Sequence, residues 1–113
     1  MNASGTEVFV DSLRIESIEP SGISLLKNAP NPFNHETKIV FGLDRAQKIS
    51  LKIYNILGQK IRTLIDRQFY EAEYHHLRWN GINDYGNSVN SGTYFLQLVS
   101  EDGTAVVKLL YIK

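Results

Sequence analysis

Short segments in which apolar and polar residues alternate follow one another from Ile23 to the end of this 113-residue chain. Alternation with a period of two is typical of β-strands that bury one face. No segment longer than ten residues keeps the 3.6-residue apolar period that an amphipathic helix requires. The sequence therefore predicts an all-β fold.

Seven strands are predicted, because turn signals such as Asp102-Gly103 separate seven alternating segments. The segments span residues 23–26, 37–43, 48–54, 60–65, 69–79, 93–100 and 105–112. Seven short strands in a domain of this length predict a seven-stranded antiparallel β-sandwich of the immunoglobulin-like type. We expect this sandwich to span residues 23–113.

The stretch 77–98 organises the predicted core. It carries Trp79, the only tryptophan, and a loop that is rich in glycine and asparagine leads from there to the next strand. In that strand Tyr94, Leu96 and Leu98 alternate onto one face. We expect Trp79 to fill the middle of the core between two sheets, since a large aromatic side chain is suited to that place.

The last predicted strand is apolar on both faces, and only Lys108 interrupts its second face. One face carries Ala105, Val107, Leu109 and Tyr111, and the other carries Val106, Leu110 and Ile112. Such a strand is either covered on both sides or leaves its outer face for a partner. The first interpretation is favoured here, because the upstream segment is available as a cover.

Residues 1–22 are predicted to form a flexible tail or linker. Within them, residues 7–16 alternate like a strand. They are either the last strand of an upstream domain or an added edge strand of the sandwich, and the sequence leaves both interpretations open. A lone strand of this kind is liable to pair between copies, so strand-mediated self-association is a further expectation.

Charge and composition exclude several classes of protein. Twelve basic and 12 acidic residues give a formal net charge of zero, so no long-range field attracts nucleic acid. Cysteine is absent, which excludes disulfides and thiolate metal sites. No apolar run approaches the roughly 18 residues of a membrane span. The first six residues do not resemble a signal peptide, so a secreted parent is expected to carry its signal upstream.

Catalytic chemistry is not predicted, and neither is a cofactor. Glu71 and Glu73 lie two residues apart in the predicted strand 69–79, where solvated strand charge explains them better than an acid–base pair. The adjacent His75 and His76 point to opposite faces of a strand and therefore do not readily share a metal ion.

A loop with several asparagines and one aspartate is the weak candidate for calcium binding, through Asn83 and Asp84. Tight turns also favour these residue types, which is the better explanation. A tyrosine-rich stripe for sugar rings is a second weak candidate, with Trp79 expected in the core instead. The residues of this stripe are Tyr70, Tyr74, Trp79 and Tyr85.

A set of motif residues with characteristic spacing extends through the chain from about residue 25 to its end. Its members are Asn31, Pro32, Phe33, Asn34, Gly58, Trp79, Gly81, Gly92 and Tyr94. In this spacing the chain resembles the type A C-terminal sorting domains of the type IX secretion system of Bacteroidetes-type bacteria. It is also similar to the immunoglobulin-like domain of flagellar hook-capping proteins.

The resemblance implies a non-catalytic module that directs a secreted multidomain protein from the periplasm through the outer membrane to the cell surface. It implies an outer-membrane translocon and a sortase-like protease as partners, with cleavage around residues 18–23 and attachment to surface lipopolysaccharide. The last two strands would then carry the recognition surface, at Lys108, Leu110, Ile112 and Lys113. The alternative is an immunoglobulin-like binding or structural module, either a carbohydrate binder or a hook-cap-like assembly domain.

Overall fold

Seven antiparallel strands form a sandwich in the computed structural model, which describes residues 22–113. The strands are β1 (Ile23–Ala29), β2 (Thr37–Leu43), β3 (Gln47–Asn55), β4 (Lys60–Tyr70), β5 (Tyr74–Trp79), β6 (Gly92–Val99) and β7 (Thr104–Tyr111). The described part of the chain contains no helix, and thus none that could cross a membrane. The predicted immunoglobulin-like β-sandwich is confirmed. The expectations for residues 7–16, self-association included, lie outside the described residues.

The strands divide between a three-stranded sheet, ordered β1-β2-β5, and a four-stranded sheet, ordered β4-β3-β6-β7. The predicted inward positions are buried: Tyr94, Leu96 and Leu98 of β6 face the core. On the opposite sheet Ile39 and Phe41 of β2 are fully buried. Burial of these alternating apolar faces supplies the main driving force for folding.

The predicted strand 69–79 is wrong as a single element. Phe69 and Tyr70 end β4, and β5 begins at Tyr74, with a turn between them. Glu71 and Glu73 lie in this turn, where the backbone N–H of Glu73 donates to the carbonyl of Glu71 at 2.9 Å. The chain changes sheets here, because β4 pairs with β3 and β5 pairs with β2. Alternation alone cannot show that change.

Trp79 is buried as predicted, but it does not lie in the middle of the sandwich. It is the last residue of β5 and pairs with Thr37, the first residue of β2. Its ring contacts those of Phe33, Tyr94 and Tyr111 at one end of the fold. The aromatic core therefore closes the end of the sandwich at which β7 finishes.

The upstream segment that was expected to cover the last strand lies outside the described residues, so the expected cover stays a prediction; within residues 22–113 the strand is not covered on both faces. β7 is an edge strand of the four-stranded sheet and pairs there only with β6. Its inward residues are buried, whereas Val106 on the outer side is 54% exposed and Ile112, directly after the strand, is 53% exposed. Within residues 22–113, the outer face of β7 is therefore exposed.

Candidate functional site at the edge of the last strand

Every second residue of β7 directs its backbone N–H and C=O groups to the outer edge of the strand, away from β6. β7 pairs with β6 in an unbroken register from Gly92 opposite Tyr111 to Val99 opposite Thr104. In an antiparallel ladder, alternate residues direct both their N–H and their C=O groups away from the neighbouring strand. Leu110 is one of these, since its N–H and C=O bind groups outside the ladder. By the same alternation Val106 also directs its amide groups outward.

Residues 31–33, here called the clip, cover the second half of this edge. The Asn31 side chain donates from Nδ2 to the carbonyl of Lys108 at 3.0 Å and accepts from the N–H of Leu110 at 2.9 Å. The N–H of Phe33 donates to the Leu110 carbonyl at 2.9 Å, and its own carbonyl accepts from Ile112 N–H at 2.8 Å. One side-chain amide and one backbone residue thus replace a short pairing strand.

The ring of Phe33 anchors the clip. It is buried and stacks on Tyr111, with ring centroids 4.8 Å apart, and it contacts Trp79 at 5.8 Å. Such aromatic pairs add about 0.5–1.5 kcal/mol beyond the area they bury. The prolines at 30 and 32 keep this segment out of helical conformation, and Phe33 forms a single bridge to Tyr111 of β7. Thr37 Oγ1 also donates to the carbonyl of Pro30 at 2.9 Å.

Tyr94 completes the aromatic end of the core. Its ring packs edge-on against Trp79, with centroids 5.6 Å apart, and its hydroxyl donates to the carbonyl of Asn90 at 2.6 Å. Burial raises the pKa of Tyr94, and the nearby Tyr111 raises it further. Trp79 Nε1 donates to the carbonyl of Ile82 at 2.9 Å. The polar atoms of this cluster therefore hold the loop between β5 and β6 against the clip.

The first half of the β7 edge has no partner within residues 22–113. We call it the open edge: the outward N–H and C=O groups of Thr104 and Val106, with the N–H of Lys108. The exposed Val106 side chain lies beside it on the outer face of the sheet. Unpaired edge groups of this kind are a template for pairing with another extended segment.

The predicted recognition residues lie mainly in the clipped half of β7. Lys108 and Ile112 are exposed, and Leu110 is half-buried on the outer face. The backbone N–H of Lys113 donates to Ser91 Oγ at 2.9 Å, which fixes the end of the strand against the start of β6. Thr104 and Val106, which carry the open edge, lie in the last two strands, where recognition was expected, but they were not among the four residues named from the sequence.

The two weak calcium candidates use their side-chain oxygens as acceptors for backbone N–H groups. Asn83 Oδ1 accepts from the N–H groups of Tyr85 and Asn87, each at 2.9 Å. Asp84 Oδ1 accepts from the N–H of Thr63 at 3.0 Å, which joins the loop to the edge of β4. No group of three or more His, Cys, Asp or Glu side chains within residues 22–113 is arranged to hold a metal ion.

The four aromatic residues considered for sugar binding do not share one surface. Trp79 is buried, and Tyr70 packs edge-on against Phe41. Tyr74 and Tyr85 are exposed, but neither ring contacts another aromatic ring of the part that the structure describes.

Comparison with known proteins identifies the fold described above. A family profile described as "Secretion system C-terminal sorting domain" matches residues 29–113, which include the clip and all of β2 to β7. The chain belongs to this family. Sorting domains of this family act in type IX secretion, by which the proteins that carry them cross the outer membrane to the cell surface.

A solved structure supports the same architecture for this sorting domain. The crystal structure of dimeric latent PorU from Porphyromonas gingivalis matches with a TM-score of 0.66 and 16% sequence identity. The match covers 87% of the sorting domain's chain and 10% of the PorU chain. At this identity the similarity shows the fold alone. A search of curated protein sequences finds no match.

The clip of the sorting domain makes a testable prediction about Asn31. Asn31→Asp keeps an oxygen for the N–H of Leu110 but replaces the donor with a second oxygen facing the Lys108 carbonyl. We expect the free energy of unfolding to fall by about 1–2 kcal/mol, measured by urea denaturation. Asn34→Asp is the matched control, since Asn34 is exposed beside the clip. Equal losses in the two variants would mean that the clip does not stabilise the fold.

Proposed function

We propose that the secretion machinery recognises this sorting domain at β7, by pairing an extended segment of its own with the open edge. The observation that carries the proposal is the half-covered edge: the clip satisfies the groups around Leu110, whereas those of Thr104 and Val106 point outward. Pairing there supplies backbone hydrogen bonds in a fixed register. The exposed side chains of Val106 and Lys108 would supply specificity.

The predicted recognition residues fit this proposal as the flank of the open edge. Lys108 and Leu110 follow Val106 on the outer side of β7, and Ile112 and Lys113 lie directly after the strand. An outer-membrane translocon component that pairs with the open edge would place its next side chains against Lys108 and Leu110. We assign these four residues a contact role and assign the backbone of Thr104 and Val106 the pairing role.

We also propose that a sortase-like protease separates the domain from its cargo before Gly22. The carbonyl of Gly22 accepts from the N–H of Asp44 at 2.7 Å and from Gln47 Nε2 at 3.4 Å, so the chain is held to the domain from this residue onward. A protease needs an extended segment that is free of such bonds. Within the predicted region 18–23, the bonds of Gly22 and the start of β1 at Ile23 argue against cleavage at these two residues. The domain itself contributes no catalytic group to this step.

A secretion assay tests the recognition proposal. A passenger protein with this chain at its C-terminus is expressed in a bacterium that has type IX secretion, and its surface and periplasmic fractions are quantified. Val106→Pro removes the outward N–H of this residue and leaves the hydrogen bonds between β7 and β6 in place. The strand should tolerate the proline, because proline is found at edge positions whose N–H faces away from the sheet. The lost hydrogen bond is expected to weaken binding about tenfold, so the passenger accumulates in the periplasm.

Val106→Thr is the matched control, because it keeps the N–H and the β-branched shape. Thr104→Pro is a second variant, at the first residue of β7, where proline disturbs the strand least. Urea denaturation of the purified variants shows that each still folds. If both folded proline variants reach the surface as well as Val106→Thr does, recognition does not use the open edge.

A further inference from the structure

We propose that the outer face of the four-stranded sheet binds an extended acidic segment of a partner protein. In this segment two carboxylates flank one apolar side chain, with one further residue between each carboxylate and the apolar residue. The inference goes beyond the proposed recognition, because it concerns the face of the sheet and not its open edge. It is carried by a row of four side chains that crosses the whole sheet.

The strand register places these four side chains next to one another. The cross-strand row consists of Lys60, Tyr54, Phe95 and Lys108, in spatial order from β4 through β3 and β6 to β7. Residues directly opposite each other on paired strands share one face of the sheet. Their chain neighbours Ile53, Leu96 and Leu109 are buried in the core, so the row lies on the outer face.

The two lysines at the ends of the row have no anionic partner within residues 22–113. Lys60 and Lys108 are exposed and form no ion pair there. The ion pairs of the described part belong to three arginines: Arg45, Arg67 and Arg78. β3, β6 and β7 contain no Asp or Glu, and β4 contains only Asp66, which pairs with Arg67. Since no carboxylate of these strands offsets the lysines, the charge of this face favours an anionic partner.

The middle of the row is apolar. Tyr54 and Phe95 are half-buried side by side between the two lysines. A small anion such as phosphate would leave this apolar surface in water, and an acidic polysaccharide carries no aliphatic side chain to cover it. A peptide can place an apolar side chain there and gain the free energy of burying it. The row therefore favours a partner with an apolar group between two anionic groups.

The length of the row fits an extended peptide. Neighbouring strands are about 4.8 Å apart, so three spacings separate Lys60 from Lys108 by about 14 Å. An extended chain advances about 3.4 Å per residue, and every second side chain points to the same side. Two carboxylates four residues apart are thus also about 14 Å apart, and the residue midway between them lies over Tyr54 and Phe95.

A peptide titration of the full chain tests the inference. The probe is the capped peptide Ser-Glu-Thr-Leu-Thr-Glu-Ser, and its binding is followed by NMR through the backbone amide shifts of the isotope-labelled protein. The control peptide, Ser-Thr-Glu-Leu-Glu-Thr-Ser, has the same composition, but its carboxylates point to the side opposite the leucine. At low ionic strength, where exposed ion pairs are least screened, we expect saturable shifts at Tyr54, Phe95 and Lys108 with the probe only.

Charge reversal measures the contribution of each end of the row. Lys60→Glu and Lys108→Glu should each weaken probe binding at least about fivefold, since an attraction is replaced by a repulsion. Lys38→Glu is the matched control, because Lys38 is exposed on the three-stranded sheet and its reversal changes the net charge equally. Its effect should stay below about twofold. Urea denaturation shows that each variant still folds.

Three results would overturn the inference: no saturable binding of the probe, equal binding of the two peptides, or equal weakening by Lys38→Glu and Lys60→Glu. Val106→Pro distinguishes the face from the open edge. Loss of probe binding in Val106→Pro but not in Lys60→Glu would assign the peptide to the open edge and would also overturn the inference.

The titration does not depend on secretion, so the two proposals can fail separately. If Val106→Pro and Thr104→Pro leave secretion unchanged while Lys60→Glu weakens probe binding, the recognition proposal fails and this inference stands. If the proline variants block secretion while the probe does not bind, the recognition proposal stands and this inference fails.

Discussion

Replacing Trp79 with alanine is expected to lower the free energy of unfolding by about 3–5 kcal/mol. The indole is 2% exposed and packs against Phe33, Tyr94 and Tyr111, so its removal leaves a cavity that these rings cannot fill without leaving their rotamers. The variant also loses the hydrogen bond to the Ile82 carbonyl. Since small domains have stabilities of about 5–15 kcal/mol, a loss of this size unfolds a substantial fraction of marginal domains.

Urea denaturation followed by far-ultraviolet circular dichroism measures this effect without needing tryptophan fluorescence. Tyr85→Ala is the control, because it truncates an aromatic side chain that is 88% exposed in the same loop region. Its effect should stay within about 0.5 kcal/mol. A loss below about 1 kcal/mol for Trp79→Ala would contradict the packing of the aromatic cluster.

Replacing Gly81 with alanine is expected to cost about 2–4 kcal/mol, the sum of a backbone term and a steric term. Gly81 has a φ of 78°, which L-residues adopt only at a cost. An added Cβ would also lie 2.7 Å from Cζ and 2.8 Å from the hydroxyl oxygen of Tyr111. The ring cannot retreat freely, because it stacks on Phe33 of the clip.

The Gly86→Ala variant separates the cost of the backbone conformation from the cost of the steric contact. Gly86 lies in the same loop with a φ of 87°, and no heavy atom lies within 4 Å of the position that its Cβ would take. It should therefore show the backbone cost alone, about 1–2 kcal/mol. Amide exchange at Leu110 gives a second readout, since displacing Tyr111 loosens the clip only in the Gly81 variant. Equal destabilisation by both substitutions would mean that Tyr111 does not press on Gly81.

The sequence predicted the strands well because period-two alternation depends on one buried face. Tyr94, Leu96 and Leu98 illustrate this, since each faces the core as expected. The break between β4 and β5 was missed because the alternation continues through Phe69 and Tyr74 while the chain moves from one sheet to the other. The break exists because β4 pairs with β3 whereas β5 pairs with β2. Strand pairing leaves no periodic signal in a single sequence.

The site was harder to predict than the fold. The family resemblance identified Asn31 and Phe33 as motif residues, but it did not say what they bind. Asn31 is 77 and 79 residues away from Lys108 and Leu110, and no local pattern connects positions so far apart. The two apolar faces of β7 suggested a covered strand. In the structure the clip covers half of its edge, and Val106 lies beside the other half.

The most direct test of the account is the location of a passenger protein that carries residues 1–113 at its C-terminus, in a bacterium with type IX secretion. The fraction on the cell surface is measured by protease accessibility of intact cells, for the complete chain and for a chain lacking residues 106–113. The account predicts surface delivery for the complete chain and retention in the periplasm for the shortened one. Periplasmic retention of both, or surface delivery of both, would contradict it.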